Sequence, residues 1–364
     1  MSKISEFLIS VIIPIFNGDK YLKDCLNNLK KQSFKKNFEI ILVNDASTDS
    51  FENIIKNFQI DNLRVFTFEK NKGQSAARNF GIKKSLGKYV FFLDVDDKIS
   101  ENSLDTLFQA TKENDYDYIF TDFERVENLK NQRVDRYNYS SDKIFLKADI
   151  IEGMARELYD PTLGHLGLFG CNGRLIKRQI LLDNNVIFDE KIRWLEDKTF
   201  AWDVLKHVNK AKYIRKQLYS YYVNPNVKSA IVDSLSRSNS IELIETILKH
   251  IKISLEFIGL SEEKITKLTN QGLIFFSIQI LVSISRSISL SKIQINEGIK
   301  IRKKIINEII NNFDVNKAVK FYKRSSEESI LIPLAIRIRS AFLLEMACNF
   351  RAKKVIKKRR LGKD

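Results

Sequence analysis

A chain of 364 residues with 44% hydrophobic and 29% charged residues and only 4 prolines is too long for one small core and too apolar for a disordered polymer. A formal charge of +16 turns the surface toward anions, whether nucleotide phosphates, nucleic acid or an anionic membrane face, without choosing among them. The three cysteines, Cys25, Cys171 and Cys348, stand far apart with no paired ligand spacing, which excludes a disulfide framework and a zinc site and points to a reducing cytoplasm.

No secretion signal is expected, because Met1 to Glu6 carries both a Lys and a Glu and Pro14 stops the apolar run that follows. Apolar, β-branched runs at Phe7–Ile13, Phe38–Val43, Leu63–Phe68 and Tyr89–Leu93 predict strands. Between them, helical spacing covers Asp19–Gln32, Ser50–Phe58 and Gln74–Leu86, the last followed by Gly87 as a left-handed C-cap. This alternation predicts a mainly parallel α/β sheet with helices on both faces. A strand at Tyr116–Phe123, a helix at Ala148–Leu158 and a helix opening near Glu196 extend the domain to about Tyr222.

From about Ser236 the pattern becomes long Ile/Leu/Lys-rich helical periods, which gives two domains, 1–230 (α/β) and 231–364 (all-helical). Leu268–Ser285 is interrupted by Thr269, Asn270, Gln271 and Gln279, so it reads as a buried helix and no membrane span is expected. At the C-terminus the apolar segment Ile336–Phe350 runs into Lys353, Lys354, Lys357, Lys358, Arg359 and Arg360. That pattern suits either an anionic membrane surface or a docked helix with a solvated basic end.

Ligands of parallel α/β sheets bind at the carboxyl ends of the strands. Three of these ends are polar here: Pro14-Ile15-Phe16-Asn17, Val43-Asn44-Asp45 and Leu93-Asp94-Val95-Asp96-Asp97. A lone acidic strand end serves equally well as a helix cap, but three at one edge form a site. Asp94, Asp96 and Asp97 have no compensating Lys or Arg within the cluster. Hard oxygen ligands without His or Cys suit Mg²⁺ or Mn²⁺, and the alternative is a solvated acidic turn before a helix capped by Ser100.

The ordered series Val11–Asn17, Val43–Asp49, Asn71–Asn79 with Gly81, Phe92–Asp97 and Glu196-Asp197 resembles the inverting glycosyltransferases of the GT-A fold, glycosyltransferase family 2, over about the first 225 residues. The remainder resembles the helical extensions of bacterial cell-surface polysaccharide transferases. The resemblance implies that Pro14, Phe16 and Asn17 line a nucleoside pocket, Asp45 bonds the base and Asn71 reaches the base or ribose. It places Arg78 near the nucleotide or sugar, Asp94 and Val95 against the ribose or sugar, and Asp96 on a Mg²⁺ or Mn²⁺ ion. Asp197 is then the base that deprotonates the acceptor, with Glu196 beside it. Some relatives carry a His as a further metal ligand near Tyr221–Ser229. This sequence has none there, so Asn226, Ser229 or water would stand in. The loop Gly164–Gly173 either gates the acceptor or simply connects.

The resemblance implies metal-dependent, inverting transfer from a nucleotide sugar, a UDP-sugar first, to a glycan or lipid-linked glycan acceptor hydroxyl in bacterial surface polysaccharide synthesis. The enzyme would be cytoplasmic or peripheral on the inner membrane face, and no nucleic-acid partner is expected. Two rivals remain at this stage. One is a haloacid dehalogenase-type phosphatase or phosphotransferase, whose strand and Asp-x-Asp resemble Phe91–Asp96, although here the motif sits on the fourth strand. The other is a non-catalytic membrane or nucleic-acid binding module that uses the basic tail.

Overall fold

The β-branched runs of the N-terminal part lie side by side because each is apolar on both faces and each is followed by a helix long enough to carry the chain back. The structure is a computed structural model and describes residues 7–34, 38–128, 131–135, 139–159, 168–222, 235, 239–290, 293–323 and 329–360. Its first elements are β1 (Ile9–Ile15), α1 (Asp19–Lys30), β2 (Phe38–Asn44), α2 (Phe51–Lys56), β3 (Leu63–Thr67), α3 (Gln74–Lys84) and β4 (Tyr89–Phe92). These strands pair in parallel in the order β3-β2-β1-β4, with Ile9 opposite both Phe38 and Tyr89.

Alternation along β1 decides which helix covers which face. Ile9, Val11 and Ile13 share a core with Leu22, Cys25, Leu26 and Leu29 of α1 and with Phe51 of α2. Ile12 points the other way, onto α3, where a Cβ added to Gly81 would stand 2.4 Å from Ile12 Cγ2. Pro14 is tolerated inside this central strand for a local reason. Ile12 O accepts from Leu93 N and Ile15 O from Asp45 N, so the amide that Pro14 lacks would face the β4 side, where pairing has already stopped at Phe92.

Gly87 is not a left-handed cap. The helix stops at Lys84, Ser85 is extended at φ −66°, ψ 143°, and the Ser85 hydroxyl donates to Ile82 O. Gly87 is small because the chain passes against β1, where a Cβ would stand 2.7 Å from Ser10 N.

After β4 come β5 (Lys98–Ile99), α4 (Ser103–Glu113), β6 (Tyr118–Asn128), β7 (Asn131–Asp135), β8 (Lys143–Leu146), α5 (Lys147–Tyr159), β9 (Leu175–Lys177), α6 (Arg178–Asp183), α7 (Glu196–Leu205) and β10 (Lys210–Tyr222). Leu104 and Leu107 of α4 join the face covered by α1. Ser100 does not cap α4; its hydroxyl donates to Gln217 O and the N-cap is Asn102. Among the described residues the sheet has ten strands in the order β3-β2-β1-β4-β9-β6-β10-β5, with β7 on β6 and β8 on β10. It is mixed beyond β4, because the three-residue β9 runs antiparallel to both β4 and β6, whereas β6 and β10 pair in parallel. The parallel block keeps the carboxyl ends of β1, β2 and β4 at one edge.

The chain forms two compact units, one of Met1–Ile151, Leu166–Lys191 and Glu196–Val223, the other of Glu152–His165, Ile192–Leu195 and Asn224–Asp364. The boundary expected at 230/231 lies outside the described residues, as do His165, Asn226 and Ser229 and the side chains of Lys358, Arg359 and Arg360. The second unit contains α8 (Ser240–Phe257), α9 (Glu262–Ser289), α10 (Ile295–Asn311), α11 (Phe313–Ala318), α12 (Leu331–Arg337) and α13 (Ala341–Arg360). Asn239, Ser261 and Asn312 cap α8, α9 and α11 through their side chains.

Among the described residues α9 is the one helix long and apolar enough to cross a membrane, yet 72% of its apolar window is buried inside the protein. It packs on α8, α10 and α13, and Gly272 lets it approach Leu248 closely. The buried guanidinium of Arg302 ties α10 to Glu345 and Asn349 of α13. Cys25, Cys171 and Cys348 are free and buried.

Gly81→Ala tests the contact between α3 and the sheet. Ile12 is β-branched and lies in a central strand, so it cannot yield, and overpacking of this kind costs about 1–3 kcal/mol. The expected result is a lower urea midpoint at an unchanged slope; an unchanged midpoint refutes the close approach.

Candidate active site

The loops that leave β1 and β2 hold one another by reciprocal hydrogen bonds. Asn17 N donates to Ser47 Oγ (3.0 Å) and Asn17 Oδ1 accepts from Thr48 N (2.9 Å). Asp19 N donates to Asp49 Oδ2 (2.8 Å) and Asp19 Oδ2 accepts from Ser50 N (3.2 Å). Both strands turn out of the sheet through left-handed residues, Asn17 at φ 49° and Ala46 at φ 61°. Asparagine adopts this conformation readily, whereas alanine is strained there. Phe16 projects from this edge with half of its surface exposed, while Pro14 is buried within β1.

Asp45 is 3% exposed, and its two oxygens accept from Lys72 N (2.6 Å) and Gly73 N (2.8 Å). Its carboxylate therefore fixes the turn that starts α3, where Gly73 has φ 95°, and each oxygen keeps a further lone pair. Asn71 is exposed above it, and its amide reaches Asp45 O at 3.4 Å.

The centre of the site is Arg78, 2% exposed on α3. Its Nη2 meets Asp94 Oδ1 at 2.8 Å and its Nη1 meets Glu196 Oε1 at 3.3 Å. Its guanidinium carbon lies 5.2 Å from the ring centroid of Phe188, which stacks on Phe200 of α7 at 3.9 Å, with Phe92 edge-on to both. An aromatic floor thus excludes water beneath the charge. Asn79 secures the floor: its amide accepts from Phe188 N and donates to Phe188 O.

Asp94 is further held by Gln74 Nε2 (3.0 Å) and by Asn172 Nδ2 (2.6 Å). Sequence reasoning missed both partners. Asn172 arrives from the described part of the 164–173 loop, which is pinned by Tyr118, whose hydroxyl donates to Leu168 O and Gly170 O, and by Gly173 N bonded to Phe92 O.

The acidic cluster is therefore not uncompensated as its sequence suggested. Arg78 neutralises Asp94 from another element. Asp97 is 2% exposed and accepts from the Tyr219 hydroxyl and from Tyr222 N. Burial, then the charge of Asp94, hold Asp97 well above the usual carboxylate range. Asp96 is the half-buried member that no side chain among the described residues bonds, and burial and Asp94 raise its pKa. Val95 packs over Gly18, 3.1 Å from where a Cβ would stand. No group of three or more His, Cys, Asp and Glu side chains is arranged for a metal among the described residues. One free carboxylate still fits the habit of Mg²⁺, which takes one or two carboxylates and completes its shell with phosphate oxygens and water.

Glu196 and Asp197 open α7 and diverge, as neighbours about 100° apart on a helix must. Glu196 turns to Arg78. Asp197 Oδ1 accepts from Lys198 N (2.8 Å), and its Oδ2 lies in ordinary contact distance, 4.0 Å, of where a Gly170 Cβ would stand. The site thus brings Arg78, Asp94, Glu196 and Asp197 together at the carboxyl end of β4. Asp45 and Asn71, with Phe16 and Asn17, line the adjoining edge of β1 and β2.

Residues 10–182 match the family described as Glycosyl transferase family 2. The glycosyltransferase GlyG of Streptococcus pneumoniae serotype 4 is 32% identical over 218 residues, which is 59% of this chain and 70% of GlyG. The chain belongs to glycosyl transferase family 2. The glycosyltransferase EpsJ of Bacillus subtilis is 28% identical over 225 residues, 60% of this chain, and the match spans 62% of its own length, less than two thirds. The crystal structure of residues 1–349 of Staphylococcus aureus TarS in complex with UDP-GlcNAc superposes with a TM-score of 0.66, covering 96% of this chain and 92% of that one at 20% identity. That likeness is one of fold, a GT-A α/β sheet followed by a helical region. Membership of the family sets aside the phosphatase alternative.

Burial, then the adjacent Asp197, push Glu196 up to about 7 against the opposing charge of Arg78. A folded-state pKa raised above the ordinary glutamate value means that the native protein holds the proton longer than the unfolded chain. Its stabilising contribution is complete below about 4.5 and is lost as pH rises toward 7. Glu196→Gln is expected to remove this part of the slope when melting temperature is followed across that window. An identical slope in the variant would show that Glu196 titrates normally.

Proposed function

We propose that this protein is a metal-dependent inverting glycosyltransferase that moves a sugar from a UDP-sugar to an acceptor hydroxyl. The observation that carries the reading is the division of labour at α7. Arg78 engages Glu196 and holds it to Asp94, whereas no salt bridge among the described residues engages Asp197, whose Oδ1 accepts from the amide of Lys198.

Family membership supports the reaction class. The UDP-GlcNAc bound to TarS makes UDP-GlcNAc the first donor to try, and a glycan or lipid-linked glycan of the bacterial surface is the acceptor class. The base stacks against Phe16 and bonds the remaining lone pairs of Asp45, with Asn17 and Asn71 at its rim. Asp94, oriented by Arg78, Gln74 and Asn172, accepts from ribose or sugar hydroxyls. A Mg²⁺ or Mn²⁺ ion held by Asp96 and the donor diphosphate would offset charge on the leaving group.

Asp197 takes the acceptor proton as the acceptor oxygen bonds to the anomeric carbon. The bond from that carbon to the diphosphate oxygen breaks on the opposite face, UDP leaves with the electron pair, and configuration inverts.

Asp197→Asn tests the base. Proton transfer by a positioned group contributes about 10²–10⁴-fold, so transfer is expected to fall by that much while UDP affinity, measured by calorimetry, stays within a few-fold of the parent. Transfer at the parent rate, or a defect confined to nucleotide affinity, removes Asp197 from this role. Asp96→Ala is expected to abolish metal-dependent turnover with an unchanged circular dichroism spectrum. Full turnover by the parent in EDTA would dismiss the cation.

A further inference from the structure

The last helix shows one face to solvent, and that face is not polar throughout. Among the described side chains of α13 the exposed ones are Phe342, Met346, Phe350, Lys353, Lys354 and Lys357. At about 100° per residue all six fall within an arc of about 120°. The opposite side is the packed one: Leu344, Ala347, Cys348 and Ala352 are at most 1% exposed. The exposed arc is graded along the helix. Its first half is apolar, with Phe342 79% and Phe350 66% exposed, and its second half is lysine. Among the described side chains it holds no exposed acid, and Glu345, which lies off the arc, pairs with Arg302. The preceding helix α12 and the residues that flank it repeat the apolar half at the same spacing, with Ile330, Leu334 and Ile338 all exposed.

From this we infer that α13 is a docking face for an anionic lipid bilayer. Aromatic and thioether side chains left in water at helical spacing are unfavourable unless an apolar phase receives them, and lysines on the same stripe require phosphate-bearing headgroups at its border. A bilayer surface supplies both within one helix length. A second copy of the face does not. Paired in the same direction, two such helices oppose lysine to lysine. Paired in opposite directions, they bury lysine against phenylalanine, and in neither case does a lysine meet a carboxylate. The formal charge of +16 favours the same partner over longer range. Docking of this kind does not depend on the reaction the enzyme performs.

The test is flotation of the full chain with mixed phosphatidylcholine–phosphatidylglycerol vesicles and with pure phosphatidylcholine vesicles. The parent is expected to bind the mixed vesicles and to be released by high salt. Joint substitution of Lys353, Lys354 and Lys357 by Gln is expected to weaken binding about a hundredfold, from about fivefold per lysine. Joint substitution of Phe342, Met346 and Phe350 by Ser is expected to weaken it at least about tenfold. Phe350→Trp replaces one exposed aromatic by another and gives a direct reading: the added emission is expected to shift to the blue on anionic vesicles and to be quenched by brominated acyl chains. Equal binding of the parent and the aromatic-to-Ser variant overturns the inference, as does an emission from the Phe350→Trp variant that vesicles leave unshifted. So does a lipid-free oligomer that the aromatic-to-Ser variant dissolves, which would assign the face to a second copy.

Discussion

A guanidinium sealed from water on one side and placed between two carboxylates organises the candidate active-site edge. Burying Arg78 alone would be prohibitive, and burying Asp94 or Glu196 without it would be nearly as costly. Together they are tolerated because the fork of Arg78 reaches one acid with each terminal nitrogen and Phe188 accepts the flat face of the cation. The three charges come from α3, the end of β4 and the start of α7, so the pairing also fixes how those elements meet. The sheet brings them near; the ion pairs set their separation.

This arrangement gives two neighbouring acids different surroundings. Glu196 is engaged by Arg78 and shifted toward neutrality, whereas Asp197 has no salt-bridge partner among the described residues. Asp94 and Asp97 differ in the same manner: one is aimed by Arg78, Gln74 and Asn172, and the other is withdrawn into bonds with Tyr219 and Tyr222. Four carboxylates that look equivalent along the chain are sorted by what lies beside them in space.

Much of this was legible in the sequence, and the reasons are physical. Strands buried on both faces are continuous apolar runs, so β1 to β4 and the helices between them stood out, and the polar residues just past each strand pointed to the candidate site. The antiparallel β9 left no trace because three residues, Leu175 to Lys177, carry no readable period. The apparent lack of a cation near Asp94 was misleading because compensation came from α3 rather than from the cluster. Asn172 was invisible for a related reason: its bond to Asp94 spans 78 residues and begins in an irregular loop. Gly87 drew attention for a backbone angle it does not adopt, while the actual need was room beside Ser10. Local pattern reports faces and turns; it does not report which distant side chains meet.

The two loops at the ends of β1 and β2 have a thermodynamic consequence. Asn17 bonds Ser47 and Thr48, and Asp19 bonds Asp49 and Ser50, so neither loop can loosen without releasing the other. A ligand arriving at that edge meets a surface whose disorder was removed when the chain folded. Little conformational entropy is left to lose at the moment of capture, and a modest set of contacts suffices to hold the ligand.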